Sequence, residues 1–432
     1  MHLRTVIQVV ALLSLAAAAL GCSESSSSPA ATPENDAALD VVEDTASDGS
    51  ATLDAAEEDV SEPPPDAQDA AAFDAAVEAG SSTWGGAPWW GCTSDDEPAG
   101  TTVVTAFDLA DQYFNPEDKR TIEADVTFPP IGSWDRVDLR LELSCPVDGK
   151  CDHWDRFANL VMVDGAGTAD EEIVELQRYI TPYNYGLCMR TDMTGLAPRL
   201  VGQKKLRSFI DTWVGPASAS DGHGWRVTAK FIFYPGTGGT GGTLADSISL
   251  WSYQDVAVGD PANPAGAQTG TKNISIPADV TKAEVRMLST GHGQGNRSNC
   301  TEFCGLQKIV TVNGQKFSYN PWRNDCGQNP IGSHQSGTWK YARAGWCPGA
   351  VVDPTVIDVT SALVAGQDNT FAFGITAGTQ GDYENTCRPG QGGATNTCTG
   401  CAFSNAAGNC DYNGGNHTPP VEKTSAVLLL YR

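Results

Sequence analysis

The chain is short of base. Its 432 residues include 27 lysines and arginines against 53 aspartates and glutamates, a formal net charge of −26. Phosphate binding needs a basic face, so this balance argues against a nucleic-acid partner. Histidine is scarce as well. Beyond the N-terminal segment only His153, His223, His292, His334 and His417 occur, and none is spaced as a ligand pair. There is no Gly-x-Ser-x-Gly, no phosphate loop and no dinucleotide fingerprint. Long helical periodicity is rare, and Ala197 to Arg207 is the best candidate for a short helix or turn. The apolar run from Val6 to Leu20 is too short to span a bilayer comfortably.

Cysteine, in contrast, is plentiful. Thirteen are unusual for a reducing compartment and ordinary for an oxidising one. The first, Cys22, closes a targeting segment: a basic start (His2, Arg4), the apolar run, then small residues. Ala19-Leu20-Gly21-Cys22 resembles a bacterial lipoprotein signal, which implies residues 1–21 as signal peptide and acylation at Cys22. Ser23 follows, so outer membrane or cell surface is the expected location, with plain secretion as the alternative. Twelve cysteines then remain, an even number that can pair completely. Residues 22–82 form an Ala/Ser/Pro/Asp/Glu stretch. From Ser23 onward it holds 16 acids, no Lys or Arg, and Phe73 as its one aromatic. Such a stretch cannot bury enough apolar surface to offset its chain entropy and is expected to be a disordered tether. At 5–6 Å × √n it would reach at least roughly 40 Å.

After Trp84 the pattern turns to strands. Val137, Leu139, Leu141 and Leu143 alternate with Asp138, Arg140, Glu142 and Ser144. Trp225, Val227, Ala229, Phe231 and Phe233 alternate with Arg226, Thr228 and Lys230. Period-two alternation marks half-buried strands, and Val427 to Tyr431 reads as a final, fully buried one. The glycine-rich Thr237 to Thr243 marks a boundary. The expectation is an all-β chain of two sandwiches, residues 83–240 and 241–432.

Three cysteine-bounded segments are candidates for chemistry. Cys145 and Cys151 bracket a small loop just ahead of Asp152-His153-Trp154-Asp155-Arg156. Cys300 and Cys304 bracket Glu302 and Phe303. Cys326 and Cys347 bracket a longer stretch ending Arg343-Ala344-Gly345-Trp346. Between them lies Arg207 to Trp213, with Asp211 beside an aromatic. Aromatic rings stack on sugar faces, while carboxylates bind hydroxyls and activate water. The plainer reading of each segment is a core tryptophan, a structural ion pair or a simple staple. Cys398-Thr-Gly-Cys401, near Cys387 and Cys410, has zinc-like spacing, but disulfides are favoured in an exported chain.

Taken in order, these segments resemble the peptide-N-glycosidase F family, amidases that cleave glycans from asparagine. The likeness runs from about Thr101 to Arg432. It rests on Cys151 to Asn159 (CDHWDRFAN), Arg178 to Tyr183 (RYITPY), Leu206 to Trp213, and Cys300 to Cys304 with Cys326 and Arg343 to Gly349. The resemblance implies two adjacent eight-stranded antiparallel jelly-roll sandwiches with an interdomain active site, and three disulfides: Cys145–Cys151, Cys300–Cys304 and Cys326–Cys347. It implies catalytic roles for Asp155, Glu302 and Asp211. Substrate-binding roles fall on Arg156, Trp154, Trp213, Arg343, Phe303 and Trp346. No cofactor or metal is implied, and the expected partners are N-linked glycans or glycopeptides, met as a monomer held at the membrane by its lipid.

There are departures. Asp211 is one methylene shorter than the family glutamate, Phe303 replaces a tryptophan, and Lys308 stands where the family has histidine. Ser289-Thr290-Gly291-His292 lacks a tryptophan before Gly-His. Cys92, Cys188, Cys387, Cys398, Cys401 and Cys410 have no family counterpart. Two other readings compete: a non-catalytic glycan-binding surface lipoprotein on the same fold, and a copper monooxygenase-like protein, which would need histidine and methionine ligands.

Overall fold

A computed structural model describes residues 83–84, 87–88, 99–130, 132, 134–168, 171–219, 222–236, 243–258, 263–293, 301–303, 305–376 and 420–432. The expectations for the signal segment, Cys22, the tether, most of the glycine-rich run, the Cys300–Cys304 bridge and Cys92, Cys387, Cys398, Cys401 and Cys410 lie outside those residues.

The first half begins with a two-residue ribbon, β1 (Thr83–Trp84) with β2 (Ala87–Pro88). Eight longer strands follow: β3 (Thr102–Gln112), β4 (Thr121–Phe128), β5 (Trp134–Ser144), β6 (Phe157–Asp164), β7 (Glu172–Ile180), β8 (Leu187–Asp192), β9 (Gly202–Ile210) and β10 (Trp225–Pro235). The second half supplies β11 (Leu244–Ala257), the short helix α1 (Ala265–Thr269), β12 (Lys272–Ser275), β13 (Lys282–His292), β14 (Gln307–Val312) and β15 (Gln315–Tyr319). It continues with the short pair β16 (Trp322–Arg323) and β17 (Arg343–Ala344), then β18 (Ala350–Val352), β19 (Thr355–Asp358), β20 (Asp368–Thr376) and β21 (Val421–Tyr431).

The alternation seen in the sequence sets the register. Where β10 pairs with β5, Val227 faces Leu143, Ala229 faces Leu141, Phe231 faces Leu139 and Phe233 faces Val137. All eight side chains are buried. A slip of one residue would turn this apolar face to water, so the pattern fixes the pairing. The sheet β3-β10-β5-β8 packs its inner face on a second sheet, β18-β7-β6-β9-β4. Eight strands of the first half thus make a sandwich, and β18 joins its edge from the second half. The second half makes its own sandwich from β11-β21-β13-β19 and β12-β20-β14-β15, around Trp251, Met287, Val310, Phe371 and Leu428.

One expectation holds only in part: of Ala197 to Arg207, the first residues form a turn, but 202–207 are strand and no helix forms. A single 3-10 turn, Thr194–Leu196, is followed by a turn, and Gly202 at φ 66° breaks the helical path before β9 begins. Leu206, Ser208 and Ile210 then point inward with strand period.

The seam between the sandwiches is both apolar and polar. Phe157, Ile180, Leu288, Trp346 and Val352 cluster together. Beside them Arg178, fully buried, is paired with Glu175 at 2.6 Å and donates to Thr290 Oγ1 at 2.9 Å and to the Lys423 carbonyl. Arg286 donates to the Leu176 carbonyl at 2.9 Å. Buried charges are tolerated when every donor is met in this way.

Candidate active site

The topology of one sheet collects the candidate residues. In an antiparallel sheet, the start of one strand lies beside the end of its neighbour. Phe157 at the start of β6 pairs with Ile180 at the end of β7, Ala158 pairs with Ile210 at the end of β9, and Ile180 pairs with Ala350 at the start of β18. Asp155 and Arg156 precede β6, Thr181 to Tyr185 follow β7, Asp211 to Trp213 follow β9, and Arg343 to Gly349 precede β18. Four separate stretches of sequence therefore meet at one end of one sheet.

The Cys145–Cys151 disulfide forms here, as does Cys326–Cys347. Cys188 is disulfide-bonded as well. Beyond the first bridge, Thr181 pins the turn that carries Asp155. Its hydroxyl donates to the Trp154 carbonyl at 3.0 Å and accepts from the Arg156 amide at 2.8 Å, while its own amide donates to the Arg156 carbonyl.

Glu302 arrives from the second sandwich, just past the end of β13. Its amide donates to the Gly293 carbonyl, and its carbonyl accepts from Ala344 N at 2.8 Å. Gly291 permits this approach, because a Cβ there would lie 2.3 Å from the Thr301 carbonyl oxygen.

Arg343 joins the two acids. Its Nε lies 3.2 Å from Glu302 Oε1 and its Nη2 lies 3.8 Å from Asp155 Oδ2. Its other donors go to the Thr338 and Tyr341 carbonyls and to Thr338 Oγ1. The Arg343 side chain is 1% exposed, Asp155 15% and Glu302 16%. Burial pushes the Asp155 carboxyl above the usual range, against the pull of Tyr183, Arg343 and Arg156. Glu302 is raised by burial too, opposed by Arg343 and reinforced by the charge of Asp155. Two desolvated acids sharing one cation, both raised above the usual carboxylate range, are suited to activating water or trading a proton.

Asp211 lies apart from this pair. Its side chain is 45% exposed, with Arg120 Nη1 at 3.8 Å. Burial raises its carboxyl, opposed first by Arg156 and then by Lys423 and Arg120. Arg120 also covers Trp213 at 4.3 Å. Arg156 therefore acts on Asp155 and on Asp211 alike.

A residue that the sequence reading did not single out holds Arg156. Asp152 is fully buried. It accepts from Arg156 Nε at 2.8 Å, Thr212 Oγ1 at 2.7 Å and the Trp154 amide at 3.1 Å. One carboxylate thus ties the Asp155 turn to the Asp211 segment. Its place four residues before an arginine, directly after the cystine, was the available signal.

The aromatics divide. Trp154, Trp213 and Phe303 are exposed, and so are Tyr185 and Tyr341. Each lies within two residues of a group described above. Trp346, expected to bind substrate, is instead buried. Its indole donates to the Gly291 carbonyl at 2.8 Å, it stacks on His292, and Arg343 lies 4.7 Å from its ring. Arg343 likewise spends its donors inside the protein, so both residues form the floor of the site. Lys308 lands in a buried ion pair with Glu422 at 2.7 Å. Among the described residues, three metal-type donors meet only at Asp325, Cys326 and Cys347, where both sulfurs are already joined to each other.

Comparison with known proteins gives a consistent picture. The family model for the C-terminal part of peptide-N-glycosidase F matches residues 263–388. The peptide-N(4)-(N-acetyl-beta-D-glucosaminyl)asparagine amidase F of Elizabethkingia miricola is 28% identical over 304 residues, 66% of this chain and 82% of that protein. Two solved structures share the fold. The PNGase F of Flavobacterium meningosepticum, described as a glycosylasparaginase, has a TM-score of 0.57 at 21% identity, over 77% of this chain and 96% of that one. PNGF-II has a TM-score of 0.56 at 15% identity, over 77% of this chain and 65% of that one. Residues 263–388 thus match the C-terminal part of peptide-N-glycosidase F, and the paired sandwiches are similar in fold to its solved structures.

Proposed function

We propose that this protein hydrolyses the amide bond that joins N-acetylglucosamine to asparagine in N-linked glycoproteins. The observation that carries the reading is the convergence of Asp155 and Glu302, one from each sandwich, on the buried Arg343. An amide nitrogen is a poor leaving group, so the reaction needs an activated water and a held sugar. Asp155 takes a proton from water as the oxygen attacks the side-chain carbonyl carbon. The C–N bond breaks, the nitrogen leaves on the sugar as a glycosylamine with the proton returned to it, and asparagine becomes aspartate. Glu302 and Asp211 orient the water and the inner sugars, Arg156 stabilises charge that develops between them, and Trp154, Trp213 and Phe303 offer sugar-stacking faces at the rim. Incubation of the full chain with a denatured N-glycoprotein tests this. Free glycan, together with Asn-to-Asp conversion in the peptide, is the expected result. Glycan retention on the protein without release would instead favour the binding-only reading.

The same reading includes export, with Cys22 acylated and the acidic stretch as a spacer between membrane and catalyst. The formed disulfides support an oxidising compartment. Mass spectrometry of the N-terminal peptide tests the anchor: a diacylated or triacylated Cys22 is expected, and an unmodified thiol would make the protein a secreted enzyme.

A further inference from the structure

The candidate site has a second side. The sheet β18-β7-β6-β9-β4 sets the lateral order of the stretches that meet at its end. Asp155 and Arg156, ahead of β6, lie in the middle. On one side come Asp211 to Trp213 after β9, and then Arg120 ahead of β4. On the other come Thr181 to Tyr185 after β7, and then the segment that leads into β18. Neighbouring strands lie about 4.8 Å apart, so each side begins one strand away from Asp155. The two sides differ in chemistry. The β9 side offers a carboxylate, a guanidinium and an exposed indole, groups that suit sugar hydroxyls and sugar faces. The β7 side has no acid in 181–185 or in 334–341, and it presents rings instead. Tyr185, from the first half of the chain, stacks on His334, from the second, with centroids 5.1 Å apart and planes 12° from parallel. Both are exposed, as is Tyr341.

These rings stand on braced loops. Asn184, at φ 53°, turns the chain ahead of Tyr185, and its amide donates to the Asp152 carbonyl at 2.9 Å. The Tyr183 amide donates to Gln335 Oε1 at 3.1 Å, and the Tyr183 and Thr338 hydroxyls lie 3.1 Å apart. Gln335 Nε2 donates to the Pro348 carbonyl at 3.1 Å, and the His334 amide donates to the Ile331 carbonyl at 2.9 Å. Arg343 Nη1 donates to the Thr338 and Tyr341 carbonyls. The segment that carries Tyr341 is thus fixed to the same guanidinium that lies beside Asp155 and Glu302. A face held in place before binding loses little freedom when a ligand settles on it.

We propose that this face, Tyr185 with His334 and Tyr341, is the subsite for the polypeptide that carries the glycan. The inference rests on the amidase reading. The bond to be cut joins a sugar to an asparagine side chain. Held at Asp155 with its sugar toward Asp211 and Trp213, that bond sends its polypeptide the other way, toward the end of β7. An extended stretch of chain offers amide planes and side chains that stack on aromatic rings, and it needs no carboxylate to receive it.

The test uses the full chain and two substrates with the same glycan: a glycosylated asparagine capped at both ends, and a glycopeptide extended by several residues on each side. The ratio of their kcat/KM values, long over short, is expected to exceed one in wild type. It should fall by about 5-fold in Tyr185→Ala and in His334→Ala. Because each variant is compared with itself on two substrates, a general loss of folded protein cancels. A ratio near one in wild type, or one that neither substitution changes, overturns the proposal. A second readout needs no turnover: the His334 ring and the Trp213 indole, followed by NMR as ligand is added to the wild-type protein. The glycan-free peptide should shift His334 and leave Trp213 in place, and the disaccharide of N-acetylglucosamine should do the reverse. A peptide that leaves His334 unmoved, or a sugar that shifts it, overturns the assignment. A chain that releases no glycan would defeat the amidase reading, while these shifts still judge the peptide face.

Discussion

The two ends of the candidate site are organised on opposite principles. At the inner end, Asp155 and Glu302 are nearly buried and share Arg343, whose every donor is used inside the fold. At the outer end, Asp211 is half-exposed, and Arg120 lies over Trp213 and pairs with Asp118 in solvent reach. Charge interactions strengthen as water is excluded, so the inner end is where a small displacement changes chemistry. The outer end grips by area and stacking, where contributions are small and tolerant. A hydrolase acting on a large glycoprotein needs both, a dry point for the bond and a forgiving surface for the chain around it. The departures from the family pattern do not all fall at one end: Asp211 and Phe303 are exposed, Phe303 with Arg343 5.3 Å from its ring, whereas Lys308 is buried in its pair with Glu422.

Substitutions should separate the two ends by the size of their effects. Asp155→Asn should lower glycan release by about 10³-fold, since it removes the group proposed to take the proton from water. The same change should raise thermal stability at pH 7. The carboxyl binds its proton more tightly in the folded protein than its ordinary 3.8, so ionisation opposes folding as pH rises, and the amide removes that opposition. The gain in Tm should disappear below about pH 4; a loss at neutral pH would mean that Asp155 is a structural acid. Arg343→Met should cost about 3–5 kcal/mol in chemical denaturation, because it leaves two buried carboxyls without their cation. A variant as stable as wild type would show that the acids do not depend on it.

Asp152→Asn tests the link between the ends. It should lower kcat by about 10–100-fold with a modest rise in KM, as Arg156 loses its fixed position. Equal effects on peptide substrates of every length would place the change at the inner end alone. Arg120→Gln, at the outer end, should raise KM by about 2–5-fold through the lost contact over Trp213, with kcat unchanged. A fall in kcat there would erase the distinction between the two ends.

Much of this was legible in the sequence because the signals were local. The alternation in Val137 to Leu143 and Trp225 to Phe233 needs no partner to be read, and it gave two strands in register. The acids beside cystines could be picked out for the same reason. What could not be read depends on the far side of a contact. The resemblance marked Arg343 as a binding residue, but nothing local in the sequence shows that it lies between Glu302 and Asp155. Asp152 carries no mark of its links to Arg156 and Thr212, the second lying 60 positions away. The resemblance put Trp346 among the binding residues, but a ring serves the core equally well, and here the ring is buried. The 202–207 stretch failed for a local reason: the 3-10 turn before it masks the point where Gly202 resets the backbone.

The strand that the second half lends to the first has a consequence for timing. Until residues 350–352 have been synthesised, β7 presents a bare edge, the kind of surface on which extended chains aggregate. A partial chain could carry Asp155, Arg156 and Asp211 and still lack the edge strand, Glu302 and Arg343. Catalytic competence is thus a report on completion: a nascent or truncated molecule has the acid but not the means to hold it, and glycoproteins nearby meet a working enzyme only when the last third of the chain has closed the sheet.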